Sequence, residues 1–113
     1  MRAPLPAAFL STPIAHRAYH DRAQGRPENS LGAVRAALAA GYGIEIDLQL
    51  SKDGVPMVFH DEWMERLTEA TGFVKDYTAE ALGRIPLRYT TDTIPTLAEV
   101  LALVAGRVPL LIE

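Results

Sequence analysis

Two carboxylates interrupt an apolar segment that would otherwise be predicted as a buried strand. Glu45 and Asp47 alternate with Ile44, Ile46 and Leu48, and residues two apart on a strand point to the same face. The two acids should therefore lie side by side, where their charges repel each other unless a proton or a cation intervenes. Taken alone, the pair is most simply explained as the solvent-facing side of a strand.

A histidine at the end of the next apolar segment favours a functional interpretation. His60 follows residues 55–59, and the turn pair Asp53-Gly54 separates this segment from the first. A two-residue hairpin turn would put Asp47 directly opposite His60. Parallel strands of a barrel would instead bring both residues to the carboxyl-terminal rim, although the link is short for a parallel crossover. Both arrangements predict proximity, and the sequence leaves the topology open.

Polar residues also end two further predicted strands. His16 and Arg17 end the first strand, and Glu113 ends the last. Three carboxylates without a thiolate form an oxygen site suited to Mg²⁺ or Ca²⁺. The fork of arginine matches a phosphate, and two histidines could serve as base and acid. Gathered on one rim, these groups indicate metal-assisted phosphoryl transfer.

The remaining pattern predicts the elements that position these residues. Residues 13–17 are predicted as a strand, and a helix capped by Asn29 or Ser30 runs to Gly41. The two apolar segments described above follow as strands. Residues 61–77 lack clear periodicity and are predicted as a long loop.

The second half of the chain continues the alternation of helix and strand. Thr78 is predicted to cap a short helix, and Thr96 with Glu99 forms a capping-box pattern before a helix that Gly106 ends. Residues 108–113 are apolar nearly throughout, which is typical of a strand covered on both faces in a parallel sheet. The order strand, helix, strand, strand, helix, strand predicts an α/β fold. An exposed apolar last strand would be an aggregation-prone edge of the sheet, so we expect the chain to be part of a larger domain.

Composition narrows the classes of function. The chain has 113 residues, 49% of them apolar, a net charge of −3 and no cysteine. Mild acidity argues against nucleic acid partners, and the lack of cysteine removes disulfides and thiolate zinc sites. No apolar run approaches the roughly 20 residues that span a bilayer. The opening MRAPLPAAFL is a poor secretory signal because two prolines break it, so a cytoplasmic protein is expected.

At the residues singled out above, the sequence resembles the glycerophosphodiester phosphodiesterase family. Five motifs occur in the family's order, with Ala18 and Ser30 standing where the family has glycine and threonine. The motifs are His16-Arg17-Ala18, Pro27-Glu28-Asn29-Ser30, Glu45-Ile46-Asp47, Lys52-Asp53-Gly54 and Phe59-His60-Asp61. Shorter likenesses occur at Leu67-Thr68, Thr71-Gly72, Ile94-Pro95-Thr96-Leu97 and Leu111-Ile112-Glu113.

The resemblance implies a TIM (β/α)8-type barrel that hydrolyses glycerophosphodiesters to sn-glycerol 3-phosphate and an alcohol. The roles it implies are acid and base for His16 and His60, metal ligands for Glu45, Asp47 and Glu113, phosphate binding for Arg17 and support for Glu28. Such a barrel needs about 250 residues. Residues 1–113 would therefore form the N-terminal portion of one barrel domain, with about its first four strands.

Alternatives of other classes remain open. The chain could be a catalytically incomplete half-barrel or a ligand-binding module, or a related phosphodiesterase that acts on phospholipids or lysophospholipids. The expected partner is a small-molecule glycerophosphodiester, with no nucleic acid and no transmembrane segment, and self-association through exposed barrel edges is one way to complete the barrel. The sequence does not choose the leaving alcohol, Mg²⁺ over Ca²⁺, or water over a substrate hydroxyl as the attacking group.

Overall fold

Strands and helices are interspersed along the residues that the computed structural model describes, which are 14–18, 21 and 25–113. In chain order the elements are β1 (Ile14–Ala15), α1 (Leu31–Ala40), β2 (Gly43–Ile46), β3 (Leu48–Leu50), β4 (Pro56–Val58), α2 (Ala79–Leu82), α3 (Leu97–Val104) and β5 (Leu110–Ile112). One turn of 3₁₀ helix, Val74–Asp76, lies in the segment predicted as a loop. The predicted α/β class is confirmed, and Pro13, the predicted start of the first strand, lies outside the described residues.

A parallel sheet of β1, β2 and β5 has β2 at its centre. Strand β2 pairs with β1 from Gly43 and with β5 from Ile44. The carboxyl ends of parallel strands meet at one edge of a sheet, which is where ligands bind in such folds. Here the residues that directly follow the three strands are His16, Asp47 and Glu113. The sheet therefore brings together three of the residues that the sequence singled out.

The polypeptide leaves this sheet at Asp47 and enters an antiparallel hairpin made of β3 and β4. Ser51 N donates to Val55 O over 3.0 Å, so residues 52–54 form a three-residue loop. Gly54 has a φ of 78°, the left-handed conformation that three-residue hairpin loops require. The sequence left parallel and antiparallel pairing open for the segment that contains Glu45 and Asp47. The part before Asp47, β2, pairs in parallel, and the part after it, β3, pairs antiparallel.

The three-residue loop shifts the hairpin register by one residue from that of a two-residue turn. Leu48 pairs with Val58, and Phe59 N donates to Asp47 O over 3.0 Å. Phe59 rather than His60 therefore lies opposite Asp47, and the pairing expected from a two-residue turn is wrong. Phe59 is buried, and His60 is the first exposed residue beyond the hairpin.

A side-chain oxygen caps the start of each α-helix in the described part of the chain. The caps are Ser30, Thr78 and Thr96. Of the two predicted caps of α1, Ser30 accepts the hydrogen bond, from Ala33 N over 3.1 Å, and Asn29 is free for the role described below. Gly41 is the C-cap of α1, as predicted, whereas the C-cap of α3 is Ala105, one residue before the predicted Gly106. The longest of these helices has ten residues, and none is long and apolar enough to cross a membrane.

The capping box of α3 offers a direct test of helix stabilisation. Thr96 Oγ1 accepts from Glu99 N over 3.1 Å, and Glu99 Oε1 accepts from Thr96 N over 3.0 Å. Replacing Thr96 by alanine should lower the free energy of unfolding by about 1 kcal/mol, because the N–H of the first turn loses its acceptor. Urea unfolding measures this, and Glu99→Gln, which keeps an acceptor, should lose less. Equal stability of Thr96→Ala and the parent chain would contradict the assignment.

Two apolar cores support the two halves of the structure. The first lies between the parallel sheet and the helices α1 and α3 and includes Val34, Ile44 and Val100. The second includes Phe59 and seven further residues, which are Met57, Met64, Leu67, Val74, Leu82, Leu87 and Ile94. The segment predicted as a long loop therefore packs around a core of its own.

Strand β5 is an edge strand of the described sheet. Leu110 and Leu111 are partly exposed, and Ile112 is 43% exposed. The predicted cover on both faces of this strand is not present among the described residues. An apolar edge strand of this kind offers unpaired main-chain groups to a further strand.

Candidate active site

Three carboxylates meet at the carboxyl edge of the parallel sheet. Glu45 lies on β2, Asp47 follows β2 and Glu113 follows β5, and one oxygen from each lies within 4.8 Å of the others. Main-chain hydrogen bonds fix the third acid, because Glu113 N donates to Ile46 O (3.0 Å) and Leu48 N donates to Glu113 O (3.2 Å). Acids that are up to 68 positions apart in the sequence thus form one cluster, which we call the acidic cluster.

Asn29 and Arg17 fix the buried carboxylate of Asp47. Asn29 Nδ2 donates to Asp47 Oδ2 over 3.1 Å, and Asn29 Oδ1 accepts from Asp47 N over 3.3 Å. Arg17 Nε lies 3.6 Å from the same Oδ2. Asn29 has a φ of 58°, which asparagine tolerates better than most residues. The segment before α1 therefore supplies both a helix cap, Ser30, and a residue that orients Asp47.

The donor atoms of the acidic cluster fit a hard cation. All three are carboxylate oxygens, the ligand type that Mg²⁺ and Ca²⁺ prefer. Glu45 Oε1 is buried without a hydrogen bond of good geometry, although His16 Nε2 lies 3.1 Å away. Arg17, the guanidinium beside Asp47, is shared with Glu28. Glu45 Oε1 therefore has room for a further partner, and the negative charge of the three carboxylates is only partly balanced by Arg17. For these two reasons the acidic cluster could hold a metal ion.

His16, Arg17 and Ala18 form the turn that follows β1. Arg17 and Ala18 have φ values of 51° and 62°, and Ala18 N donates to Glu45 O over 2.9 Å. This hydrogen bond holds the turn against β2 and sets His16 beside Glu45. A left-handed conformation is unfavourable for alanine and free for glycine, which gives a physical reason for the glycine that the resemblance expects at position 18.

The Asp61 carboxylate orients the His60 side chain, and the Gln49 side chain holds the main-chain carbonyl of His60. His60 Nδ1 lies 2.8 Å from Asp61 Oδ1, and Gln49 Nε2 donates to His60 O over 2.9 Å. Because an ionised carboxylate only accepts hydrogen bonds, the neutral imidazole is expected to carry its proton on Nδ1. The Nε2 atom is then the nitrogen that can exchange a proton with a ligand.

Ion pairs connect His60 to the acidic cluster. Arg66 donates to Asp61 Oδ2 over 2.8 Å and to Glu28 Oε1 over 2.7 Å. Glu28 is buried and accepts a second guanidinium, from Arg17 Nη1 over 3.0 Å. The chain of contacts runs through His60, Asp61, Arg66, Glu28, Arg17 and Asp47. The predicted support residue Glu28 therefore lies between two arginines, Arg17 on the side of the acidic cluster and Arg66 on the side of His60.

The pKa values of this network favour the ionised carboxylates. Hydrogen bonds from Arg66, together with His60, outweigh desolvation and lower the pKa of Asp61 to about 2. Burial raises the pKa of Glu28, but the hydrogen bonds and charge of Arg66 and the charges of Arg17 and His60 outweigh it, so the pKa is lowered. The same two acids raise the pKa of Arg66. Glu28, Asp61 and Arg66 are therefore all charged at neutral pH.

Asp61 should make the stability of the protein depend on acidic pH. Its pKa is about 2 in the folded chain against an ordinary 3.8, so its stabilising effect is present above about pH 4 and is lost as the pH falls towards 2. Asp61→Asn should lower the melting temperature near neutral pH, and the difference from the parent chain should shrink between pH 4 and pH 2. Thermal unfolding across this range measures the effect, with Asp76→Asn, an exposed acid, as the control. A difference that stays constant down to pH 2 would contradict the ion pair.

A cleft opens beside His60. It has a volume of about 400 Å³ and is lined by Gln49, His60, Asp61, Glu62 and Trp63. A neighbouring hollow of about 220 Å³ shares Gln49 and Glu62 and reaches Phe73 and Lys75. Trp63 and Phe73 are half-exposed and meet edge to face, with ring centroids 5.9 Å apart. The cleft beside His60 therefore has a half-exposed aromatic ring, that of Trp63, at its wall.

Two residues that orient the site were not predicted from the sequence as site residues. The sequence pattern gave no role to Arg66, and Asn29 was predicted as a helix cap and matched a family motif without a role of its own. The available signal for Arg66 was its position directly before Leu67-Thr68, one of the shorter motifs. For Asn29 the signal was the Pro-Glu-Asn-Ser motif itself, in which Ser30 already supplies a cap.

The fold and the site together define a class of protein: an α/β chain whose parallel strands end in an acidic cluster, with arginine and histidine side chains beside it. A sequence model of the glycerophosphoryl diester phosphodiesterase family matches residues 16–113, so the chain belongs to this family. It is 39% identical over 101 residues to the glycerophosphodiester phosphodiesterase of Caldanaerobacter subterraneus subsp. tengcongensis, and 44% identical over 101 residues to that of Bacillus altitudinis. Each match covers 83% of this chain and 40% of the relative.

Solved structures agree with this assignment. A glycerophosphoryl diester phosphodiesterase from Parabacteroides distasonis superimposes with a TM-score of 0.81 and 35% identity, over 89% of this chain and 37% of that one. A phosphodiesterase from Oleispira antarctica, solved in complex with the product sn-glycerol-3-phosphate, superimposes with a TM-score of 0.79 and 31% identity, over 94% of this chain and 46% of that one. The chain thus spans about two fifths of the length of the curated relatives it matches.

Proposed function

We propose that this chain carries the cation site and the acid and base residues for metal-dependent hydrolysis of glycerophosphodiesters to sn-glycerol 3-phosphate and an alcohol. The observation that carries the proposal is the acidic cluster, with carboxylate oxygens of Glu45, Asp47 and Glu113 within 4.8 Å of one another at the strand ends. The names of the relatives and the product bound to the Oleispira antarctica neighbour support the choice of substrate.

The acidic cluster would bind one divalent cation, Mg²⁺ or Ca²⁺. A bound cation supplies charge neutralisation at the phosphodiester and lowers the pKa of an attacking oxygen. Glu45, Asp47 and Glu113 would be its protein ligands, and Asn29 would keep Asp47 in the orientation that binding needs. The absence of cysteine leaves no thiolate that would favour zinc.

Arg17 would bind the phosphate group of the substrate. One arm of its guanidinium is held by Glu28 over 3.0 Å, and its Nε lies 3.6 Å from Asp47 without a hydrogen bond. The guanidinium is thus fixed beside the acidic cluster while retaining N–H groups for a ligand. Glu28 supports the site by holding Arg17.

His16 and His60 would exchange the two protons of the reaction. One imidazole accepts the proton of the attacking oxygen, and the other gives a proton to the departing alcohol. The Nδ1 atom of His60 contacts Asp61, and His60 borders the 400 Å³ cleft. The Nε2 atom of His16 lies beside Glu45. The cleft with Trp63 would receive the alcohol, so that the leaving group lies on the His60 side.

We further propose that residues 1–113 form the N-terminal portion of one TIM-type barrel domain and contain about its first four strands. The relation to longer barrel phosphodiesterases and the exposed apolar side of β5 support this extent. The edge of β5 is also where a second copy of the chain would associate. A cytoplasmic location stays a prediction from the composition.

Product analysis tests the proposed function. The chain, alone and within any longer product of its reading frame, is incubated with glycerophosphocholine or glycerophosphoethanolamine and Mg²⁺ or Ca²⁺, and glycerol 3-phosphate is measured enzymatically. EDTA-sensitive release is expected, and ³¹P NMR would show a cyclic phosphate if a substrate hydroxyl attacks. Release of choline and lysophosphatidic acid from lysophosphatidylcholine instead would favour the phospholipid alternative. No release from any form would contradict the proposal in favour of a binding module.

A further inference from the structure

Arg66 lies between the two parts of the proposed active site, His60 with Asp61 on one side and Glu28 with Arg17 on the other. Its Nε and Nη2 atoms donate to the two oxygens of Asp61 over 2.8 and 2.9 Å. Its Nη1 and Nη2 atoms donate to the two oxygens of Glu28 over 2.7 and 3.1 Å. One planar guanidinium therefore holds two carboxylates in two-pronged contacts, a geometry that fixes direction as well as distance.

Each of these carboxylates has a second partner with a proposed role. Asp61 Oδ1 also lies 2.8 Å from His60 Nδ1, and Glu28 Oε2 accepts from Arg17 Nη1 over 3.0 Å. The orientation of Asp61 sets the ring plane and the proton position of His60. The orientation of Glu28 sets the direction of the Arg17 guanidinium.

We propose that Arg66 is a positioning residue that aligns His60 through Asp61 and Arg17 through Glu28. This inference rests on the function proposed above, which assigns the roles of His60 and Arg17. In it, Arg66 does not touch the substrate; it holds the two carboxylates that hold the acid–base group and the phosphate-binding group.

The same contacts also bear on the stability of the fold. The Arg66 side chain is 39% exposed, but the Glu28 and Asp61 side chains are only 8% and 13% exposed, so loss of the arginine would leave two largely buried carboxylates less compensated and lower the stability. The positioning role is therefore tested with readouts that a purely structural role would not change. Lysine, a single point charge, could not hold both acids in the same way. Arg84, whose side chain is 76% exposed and pairs with Glu80 four positions earlier, is a surface arginine that contacts no site residue within the described part of the chain.

The test compares Arg66→Met, Arg66→Lys and the control Arg84→Met in the full chain. Arg66→Met is expected to lower kcat about 10- to 100-fold, the range seen when a residue that orients a metal ligand or catalytic group is lost. Arg66→Lys should recover part of that loss, and Arg84→Met should match the parent protein. A parent-like kcat in a folded Arg66→Met protein would overturn the proposal.

The protonation pattern of His60 gives a second readout that does not need activity. In ¹⁵N NMR of the imidazole, the parent protein should show the proton on Nδ1, and Arg66→Met should show a mixture of the two tautomers because Asp61 is free to turn. If the parent hydrolyses nothing, the proposed function fails while this spectrum still judges the positioning of His60. An unchanged tautomer in both Arg66 variants would overturn the role of Arg66, and Arg66→Lys serves if Arg66→Met does not fold.

Discussion

Replacing Asp47 by asparagine is expected to lower the affinity for Mg²⁺ or Ca²⁺ at least about 100-fold and to abolish cation-dependent product release. Loss of a residue that merely orients a metal ligand costs about 10- to 100-fold in affinity, and Asp47 would itself be a charged ligand. Asparagine has nearly the same shape, so Asn29 can keep a hydrogen bond to its side-chain oxygen. The change therefore removes charge from the acidic cluster with little effect on its packing.

Thermal unfolding with and without the cation separates this effect from a loss of folding. A cation that binds the folded chain raises the melting temperature, so the parent chain should be stabilised by Mg²⁺ or Ca²⁺ and Asp47→Asn should not. Asp76→Asn removes one exposed negative charge far from the strand ends in sequence and is the control. Equal cation-dependent stabilisation of Asp47→Asn and the parent would show that the acidic cluster does not bind the ion.

Replacing His60 by alanine should lower kcat about 10²- to 10⁴-fold, the usual contribution of a positioned acid or base. His60 contacts Asp61 rather than the acidic cluster ligands, so cation affinity should stay close to that of the parent. The expected signature is therefore a loss of turnover with intact binding of Mg²⁺ or Ca²⁺.

Calorimetric titration of the cation and steady-state kinetics of the same preparation measure both quantities. The contrast with Asp47→Asn is informative, because that variant should lose cation affinity and turnover together. Full activity of His60→Ala would remove His60 from the proton transfers. A large loss of cation affinity in His60→Ala would contradict the expectation that His60 acts independently of cation binding at the acidic cluster.

Local patterns in the sequence predicted much of the fold. The acids Glu45 and Asp47 stood out because a period of two is a local property of a strand. The caps Thr78 and Thr96 were predicted for a similar reason, since a cap depends on residues within one turn of the helix. Parallel strands then dictate that residues at different strand ends meet at one edge, so proximity of Glu113 to Asp47 could be expected as well.

The parts that could not be predicted depend on register or on distant contacts. Asp53-Gly54 is compatible with loops of two or three residues, and one residue decides whether Phe59 or His60 lies opposite Asp47. Arg66 contacts Glu28, 38 positions earlier, from a segment without helix or strand periodicity. Its contacts depend on the second core, which packs that segment against the site.

A titration that follows binding and activity together tests the central claim, that the acidic cluster holds the cation on which phosphodiester hydrolysis depends. Mg²⁺, and separately Ca²⁺, is added to the cation-free parent protein and to its Asp47→Asn variant. The heat of binding and the release of glycerol 3-phosphate are measured under the same conditions. The account predicts one high-affinity cation per parent chain, release that rises in proportion to its occupancy, and neither property in Asp47→Asn. Undiminished release without any cation, or unchanged binding in Asp47→Asn, would contradict it.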